Sequence, residues 1–550
     1  MIRTVTEVGK KNLLLLSLVL IGVAYVYSGT LNGPFIYDDI DQIANNHYIH
    51  DLSNLRGLFF ECLRNTRPLL NLFYAVAWKI APYKTWAFHL VLILIHVINT
   101  ALVFFLLRKV FSKSLEKQSI LIWVATVMFA FHPLQVQGIS YITGATSAIQ
   151  CLFYLSCLNL YDSEDTKNDW KIWILLAIAM CCKESCILIP AALVWWDLTI
   201  GGRTLKSLPY RRYFLLALPI LAVVIPLYFY ISNPLATHGD STGFSLYPYR
   251  EYMIEQGYYY LFYIRLLFDS SSQSLIHPQF EFNNRVVILG ILGLLLCSAF
   301  IFSAFLLRSK KPAFSFFVGF FFISLLLTNT FFEMINPFAE YRLYQANLAL
   351  FVGVGFLLNQ LLGLVEKPVL KGVVLASLFS WVVWSCVLMQ TVWENEASIF
   401  VYSLAVYPEA FELHLLLGSY YETNYKWDLA EEQYLEAVPL VKKHHGPISY
   451  HPYRLLFRIY VFSKQWKKAL NEIDLIEKEL GNGLLPEDGY VVYLRLLRKI
   501  DDRVNFDKIR EKAVGSYPSS VFPKWGDKPK EGLPQNASKS AETTQQKRAP

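Results

Sequence analysis

Long apolar runs alternate with short polar breaks over the first 392 residues. The runs lie near Asn12 to Leu31, Trp86 to Leu107, Ile120 to Pro133, Ile139 to Leu160, Trp170 to Cys182 and Cys186 to Ile200. Others cover Tyr213 to Ile231, Val286 to Leu307, Phe314 to Phe332, Tyr344 to Leu364 and Val373 to Val392. They predict about eleven transmembrane helices. Lys10 and Lys11 precede the first run, and basic residues recur at Arg108–Lys117, Arg203–Arg212, Arg308–Lys311 and Lys367–Lys371. Positive charge stays in the cytoplasm, so the N-terminus is inside and the chain after Trp393 is outside. Leu69 to Pro82 is apolar but short and carries Lys79, which suits an interfacial helix. Tyr258 to Phe268 contains Arg265 and is too polar at its flanks to read as a span.

Beyond Trp393 the pattern changes to charged, soluble helix. Leu417, Gly418, Tyr421, Ala430, Tyr434 and Ala437 fall at the spacing of a tetratricopeptide repeat. A weaker copy holds Tyr453, Leu456, Tyr460 and Ala469, and a third window runs from Tyr490 to Lys512. The expected organisation is all-α: a membrane bundle over 1–392, a helical repeat domain over 393–516 and a disordered tail over 517–550. A long acidic loop, 32–68, follows the first span.

Composition narrows the class. Of 550 residues, 54% are hydrophobic and 17% charged, which excludes an ordinary soluble enzyme. The net charge of +7 does not imply nucleic acid, because the basic residues sit between apolar runs and set orientation. Seven of the eight cysteines lie in or beside apolar runs, which argues against a disulfide framework. A bacterial inner membrane is the expected location, with the endoplasmic reticulum as the alternative.

Candidate chemistry concentrates outside. Asp38, Asp39 and Asp41 crowd the first loop. A positioned carboxylate there can take a proton from a hydroxyl acceptor, whereas a solvated turn or helix cap is the bland alternative. Any metal would fall to Asp38 and Asp39. Arg67, Arg265 and Arg342 break the charge bias on that side, and phosphate is the ligand that would justify them. Snorkelling side chains are the alternative. His132-Pro133 ends an outward run and could donate to a phosphate or sugar, or simply end a helix. Lys183-Glu184 marks a turn on the same side, either binding substrate or pairing to hold two helix ends. Glu340 could bind substrate or pair structurally with Arg342. His89, His96 and Asn99 lie within one span and read as contacts between helices, or as a lining for a lipid groove.

The ordered set of motifs is Tyr37-Asp38-Asp39, Arg67-Pro68-Leu69-Leu70, Phe88-His89-Leu90 with His96 and Asn99, and Phe131-His132-Pro133. Cys182-Lys183-Glu184, Tyr263-Ile264-Arg265-Leu266, Ala339-Glu340-Tyr341-Arg342-Leu343-Tyr344 and the repeats follow. Over about Asn12 to Leu440 it resembles the transmembrane and tetratricopeptide repeat O-mannosyltransferases and their bacterial relatives. More distantly it is similar to other GT-C glycosyltransferases. The resemblance implies transfer of a sugar from a polyprenyl phosphate to a hydroxyl, outside the cytoplasm, with inversion. It makes Asp38 and Asp39 catalytic. Beside it, our own assignment gives Arg67, His132, Lys183, Glu184, Arg265, Glu340, Arg342 and Tyr344 to substrate binding. A protein Ser or Thr is the expected acceptor, held by the repeats. A lipid or surface glycan acceptor, or a non-catalytic scaffold, are the alternatives. The chain departs from the pattern at Gln137, Ala145 and Ser147, where relatives often carry Glu, Arg and Asp. That departure weighs against a metal site and leaves the sugar open.

Overall fold

The computed structural model describes residues 9–58, 67–231, 249–277, 282–331, 338–441, 451–479, 487–499 and 501–516. Every regular element among them is helical. The expected tail over 517–550 lies outside the described residues. The chain forms two compact units, Met1–Leu417 and Gly418–Pro550.

In the first unit α1 (Lys10–Tyr27) leads into the acidic loop, and α2 (Pro68–Ile80) and α3 (Trp86–Val110) follow. Then come α4 (Ser119–Phe131), α5 (Thr146–Leu160), α6 (Asp169–Met180), α7 (Ile189–Thr199) and α8 (Tyr210–Ile231). After them are α9 (Tyr249–Phe268), α10 (Asn284–Leu307), α11 (Pro312–Leu326), α12 (Leu343–Gly363), α13 (Pro368–Val392) and α14 (Glu396–Val406). This is an all-α polytopic membrane protein. Apolar side chains such as Leu14, Ile21, Ile288, Leu295, Phe302, Leu357 and Trp384 stay exposed, as lipid contact requires.

Six helices among the described residues are long and apolar enough to cross a membrane, and a seventh arises if a bent pair counts as one span. The apolar pattern predicts about eleven. Apart from α8, whose side chains are described only to residue 221, the difference lies in α5, α6 and α7, which have only 15, 12 and 11 residues. A crossing needs about 20. The bent pair is α4 with Pro133–Ser140, set at 52°. Proline at 133 lacks the N–H that would continue the helix.

α3 is the buried centre, with 61% of its apolar window covered, against 17% for α10 and α13. Its polar residues are spent on neighbours. The His96 ring meets the Ala130 carbonyl through Nε2 at 3.0 Å and the Tyr344 hydroxyl through Nδ1 at 2.7 Å. A carbonyl only accepts, so Nε2 carries the hydrogen and Nδ1 accepts from Tyr344. Asn99 donates to the Ala148 carbonyl and to Tyr344. At the periphery, α9 and α10 cross at Gly257, Gly290 and Gly293. A Cβ on Gly293 would stand 1.9 Å from the Gly257 carbonyl oxygen, so only glycine allows this approach.

One end of the short helices α5, α6 and α7 is closed by charge. Asp197 is fully buried and accepts from the hydroxyls of Tyr161, Ser163 and Tyr213. Arg212 grips Asp169 through two bonds of 2.7 and 2.8 Å. Lys109 donates to the carbonyls of Leu158, Asn159 and Tyr161.

The second unit continues as helices, including α15 (Trp427–Val441), α16 (His451–Phe462), α17 (Trp466–Glu479), α18 (Glu487–Lys499) and α19 (Arg503–Ser516). Gly418 lies against the Tyr434 ring, and Ala430, Tyr434 and Ala437 are buried. Tyr453, Ile473, Tyr490, Leu494, Leu497 and Ala513 join one core.

Candidate active site

The other end of α5, α6 and α7 opens into a cleft of about 230 Å³. Asp38, Arg67, Lys183, Glu184 and Arg342 all line it, with Gln42, Tyr141, Thr143, Thr146, Ser185, Leu327, Thr328 and Tyr341. Five of the residues singled out by charge and motif therefore meet, from four separate stretches of the chain.

The acidic loop is held by one of its own carboxylates. Asp39 is fully buried and accepts the backbone N–H of Thr143 at 2.8 Å and of Ile36 at 3.2 Å. The Thr143 bond fastens the loop to the segment after the α4 bend, and the Ile36 bond closes the loop on itself. Tyr37, just before the pair, has φ of 52°. A bulky residue adopts that left-handed conformation only when its surroundings impose it. The result presents Asp38 to the cleft. Burial raises the Asp38 carboxyl above the ordinary range, Tyr141 draws it back, and Asp41 adds to the rise. Burial pushes Asp39 to about 7, against the pull of the Thr143 and Ile36 amides.

The same cleft holds cations. Arg67 caps α2, whose Leu69 N–H bonds the Cys181 carbonyl at the end of α6. Its guanidinium meets Glu184 at 3.0 and 3.1 Å in a two-pronged pair. Burial opposes the charge, but Glu184 outweighs it and holds Arg67 above its ordinary value. Lys183 does not pair with its neighbour Glu184. It donates to Ser147 Oγ at 2.8 Å and is buried. Burial, and then Arg67, push it down to about 7. Arg342 lines the same cleft, its guanidinium near the Tyr341 ring.

The remaining candidates lie elsewhere. His132 has no exposed surface, and its Nε2–H donates to the Leu267 carbonyl while Nδ1 accepts from the Leu134 N–H. Both ring nitrogens are thus committed to the backbone. Glu340 is buried and accepts from Gln273, the Ser274 N–H and His277, at 2.7 to 2.8 Å. It ties the 270s segment to α12 and does not pair with Arg342. Arg265 is exposed and pairs with Asp269 one turn along its own helix. Tyr344 is buried beneath the cleft, bonded to His96 and Asn99.

Asp38 and Asp39 do not make a metal centre by themselves. Both Asp39 oxygens already accept backbone N–H groups. No group of three His, Cys, Asp or Glu among the described residues is placed to hold an ion. Charge and motif missed Tyr141, Thr143 and Ser147. Their one signal is polarity in the stretch after His132-Pro133, where an apolar run is expected.

No protein-family model matches the chain, and no solved structure does. The chain is similar to protein O-mannosyl-transferase TMTC3 of Mus musculus, 25% identical over 211 residues, which is 35% of this chain and 22% of that protein. The Homo sapiens TMTC3 protein is 24% identical over 216 residues, covering 36% and 23%. Protein O-mannosyl-transferase TMTC2 of Mus musculus is 28% identical over 147 residues, covering 25% and 17%. The matches thus span less than a quarter of these relatives' own length. The relatives form the family that the motifs resemble.

Proposed function

From its similarity to these O-mannosyl-transferases and from the cleft, we propose that the chain is a membrane glycosyltransferase. It moves a sugar from a polyprenyl phosphate to a Ser or Thr hydroxyl of a protein, on the face of the membrane away from the cytoplasm. One observation carries the reading: a buried-loop carboxylate, Asp38, shares a cleft with Arg67, Lys183 and Arg342. Leu327 and Thr328, at the end of the apolar span Pro312–Asn329, line the same cleft. A lipid tail can therefore lie along the span while its phosphate reaches the cations.

The reaction follows from that layout. The acceptor oxygen forms a bond to the anomeric carbon as the bond from that carbon to the phosphate oxygen breaks. The electron pair leaves with the lipid phosphate, and the acceptor proton passes to Asp38 and then to water. Arg67, fixed by Glu184, and Arg342 meet charge that grows on the leaving phosphate. A base on one side of the sugar and cations on the other give a single displacement, which inverts the carbon. The raised carboxyl of Asp38 suits a base that works near neutrality. Asp39 keeps the loop in register and does not touch substrate. The helices after Gly418 present the acceptor, since stacked helix pairs form concave peptide-binding surfaces.

The test is intact-mass measurement of secretory proteins from cells with and without the chain. A shift by whole sugar masses is expected on its acceptors. Proteins of unchanged mass, with the chain present and folded, would overturn the reading.

A further inference from the structure

Two hydroxyls in the cleft lack a well-formed hydrogen bond. The Tyr141 phenol oxygen and the Thr143 Oγ1 are buried and make no hydrogen bond of ordinary geometry among the described residues, although each lies close enough to Asp38 or Asp39 to draw that carboxyl down. The two residues are only 3% and 7% exposed, and both line the cleft beside Asp38. A buried hydroxyl left unpaired costs stability unless a ligand or solvent meets it.

Neither side chain is there by accident of packing. The Tyr141 ring is fixed between Tyr341, at 5.9 Å, and Trp393, at 6.2 Å. It lies over the backbone of Gly144, where an added Cβ would stand 2.4 Å from Cδ1 of the ring. Thr143 is anchored by its own N–H to Asp39. The fold thus spends an aromatic cage and a glycine to hold one phenol at the carboxylate end of the cleft.

The chemistry of this wall differs from that of the other. Arg67, Lys183 and Arg342 supply donors and positive charge, which suit phosphate. Tyr141 and Thr143 supply neutral groups that both donate and accept, which suit the hydroxyls of a sugar ring. On the proposed function above, we infer that Tyr141 and Thr143 form the sugar subsite. They hold hydroxyls of the donor sugar between Asp38 and the phosphate-binding cations.

The test compares two probes with the full chain in lipid nanodiscs: a short-chain polyprenyl phosphate carrying mannose, and the same lipid phosphate without sugar. Tyr141→Phe keeps the ring and loses only the hydroxyl. It should weaken the mannose-bearing lipid roughly 3- to 10-fold, the loss expected for one neutral hydrogen bond, and leave the bare lipid phosphate unchanged. Thr143→Val added to it should bring the two lipids closer to equal affinity. Gly144→Ala, which displaces the ring, should act like Tyr141→Phe. Arg342→Gln should weaken both lipids alike. Equal loss for both lipids, or no loss, in Tyr141→Phe would overturn the subsite while the lipid-phosphate reading stands. Wild-type protein that binds neither lipid would overturn both.

Discussion

The same three short helices end in charge at both ends, and the two ends are built differently. At one, Asp197 accepts from three hydroxyls, Arg212 grips Asp169, and Lys109 is spent on backbone carbonyls. At the other, Asp38 faces a cleft, Lys183 has a serine as its hydrogen-bond partner, and two hydroxyls lack a well-formed hydrogen bond. Buried charge is common to both, so burial does not separate scaffold from site. What separates them is that only the second keeps a cleft, lined by Asp38 and the cations, beside its charge.

Substitutions can break that contrast. The largest effect belongs to Asp38→Asn, expected to lower sugar transfer by about 10²- to 10⁴-fold with the thermal midpoint in detergent unmoved. Transfer at the wild-type rate would remove Asp38 as the base. Arg342→Gln should cost transfer about 10²-fold through the leaving phosphate, measured as kcat with saturating acceptor. Asp197→Ala should do the reverse. It strands the hydroxyls of Tyr161, Ser163 and Tyr213, and stability should fall by on the order of 3 kcal/mol. Protein that still folds in the membrane should retain its turnover. A drop in turnover without loss of stability would erase the distinction between the two ends.

A smaller effect concerns pH. Asp39 is raised from 3.8 to about 7 in the folded chain. The native state then holds its proton more tightly than the unfolded one, so this contribution to stability falls as pH rises from about 4 to 7. Lys183 is lowered from 10.5 to about 7. The unfolded state binds that proton more tightly, so stability rises from about pH 7 to 10.5. Together they place a shallow minimum of stability near neutrality. Asp39→Asn should remove the acid limb and Lys183→Met the alkaline limb, in melting curves across pH. The smallest effect is expected for Arg265→Ala, because its partner Asp269 is on the same exposed helix face. Transfer should change less than about 2-fold and stability by less than about 0.5 kcal/mol.

Much of this was legible in the chain. Asp38, Arg67, Lys183 and Arg342 declare themselves as charge on the side where basic residues are scarce. Their meeting is written in the order of apolar runs. Glu340 and His132 are held by Gln273, His277 and the Leu267 carbonyl, partners that lie far away in sequence and that local motifs do not announce. Tyr141 and Thr143 carry no charge and no repeat, so only their place in the cleft reveals them. Fewer helices reach crossing length than there are apolar runs because the runs on either side of Lys183-Glu184 fold as helices of only 12 and 11 residues.

The glycine crossing of α9 and α10 has one more consequence. The atoms that an added methyl would strike are carbonyl oxygens, not side chains that could swing aside. The pair can neither slide nor roll without first separating. Asn329, which donates to Gln256 and Tyr263 of α9, is thereby braced from outside the bundle. The wall of the cleft at Leu327 and Thr328 inherits that stiffness, like a door jamb set in masonry. A single alanine at Gly293, which does not line the cleft, should lower the proposed transfer by loosening the frame of the cleft.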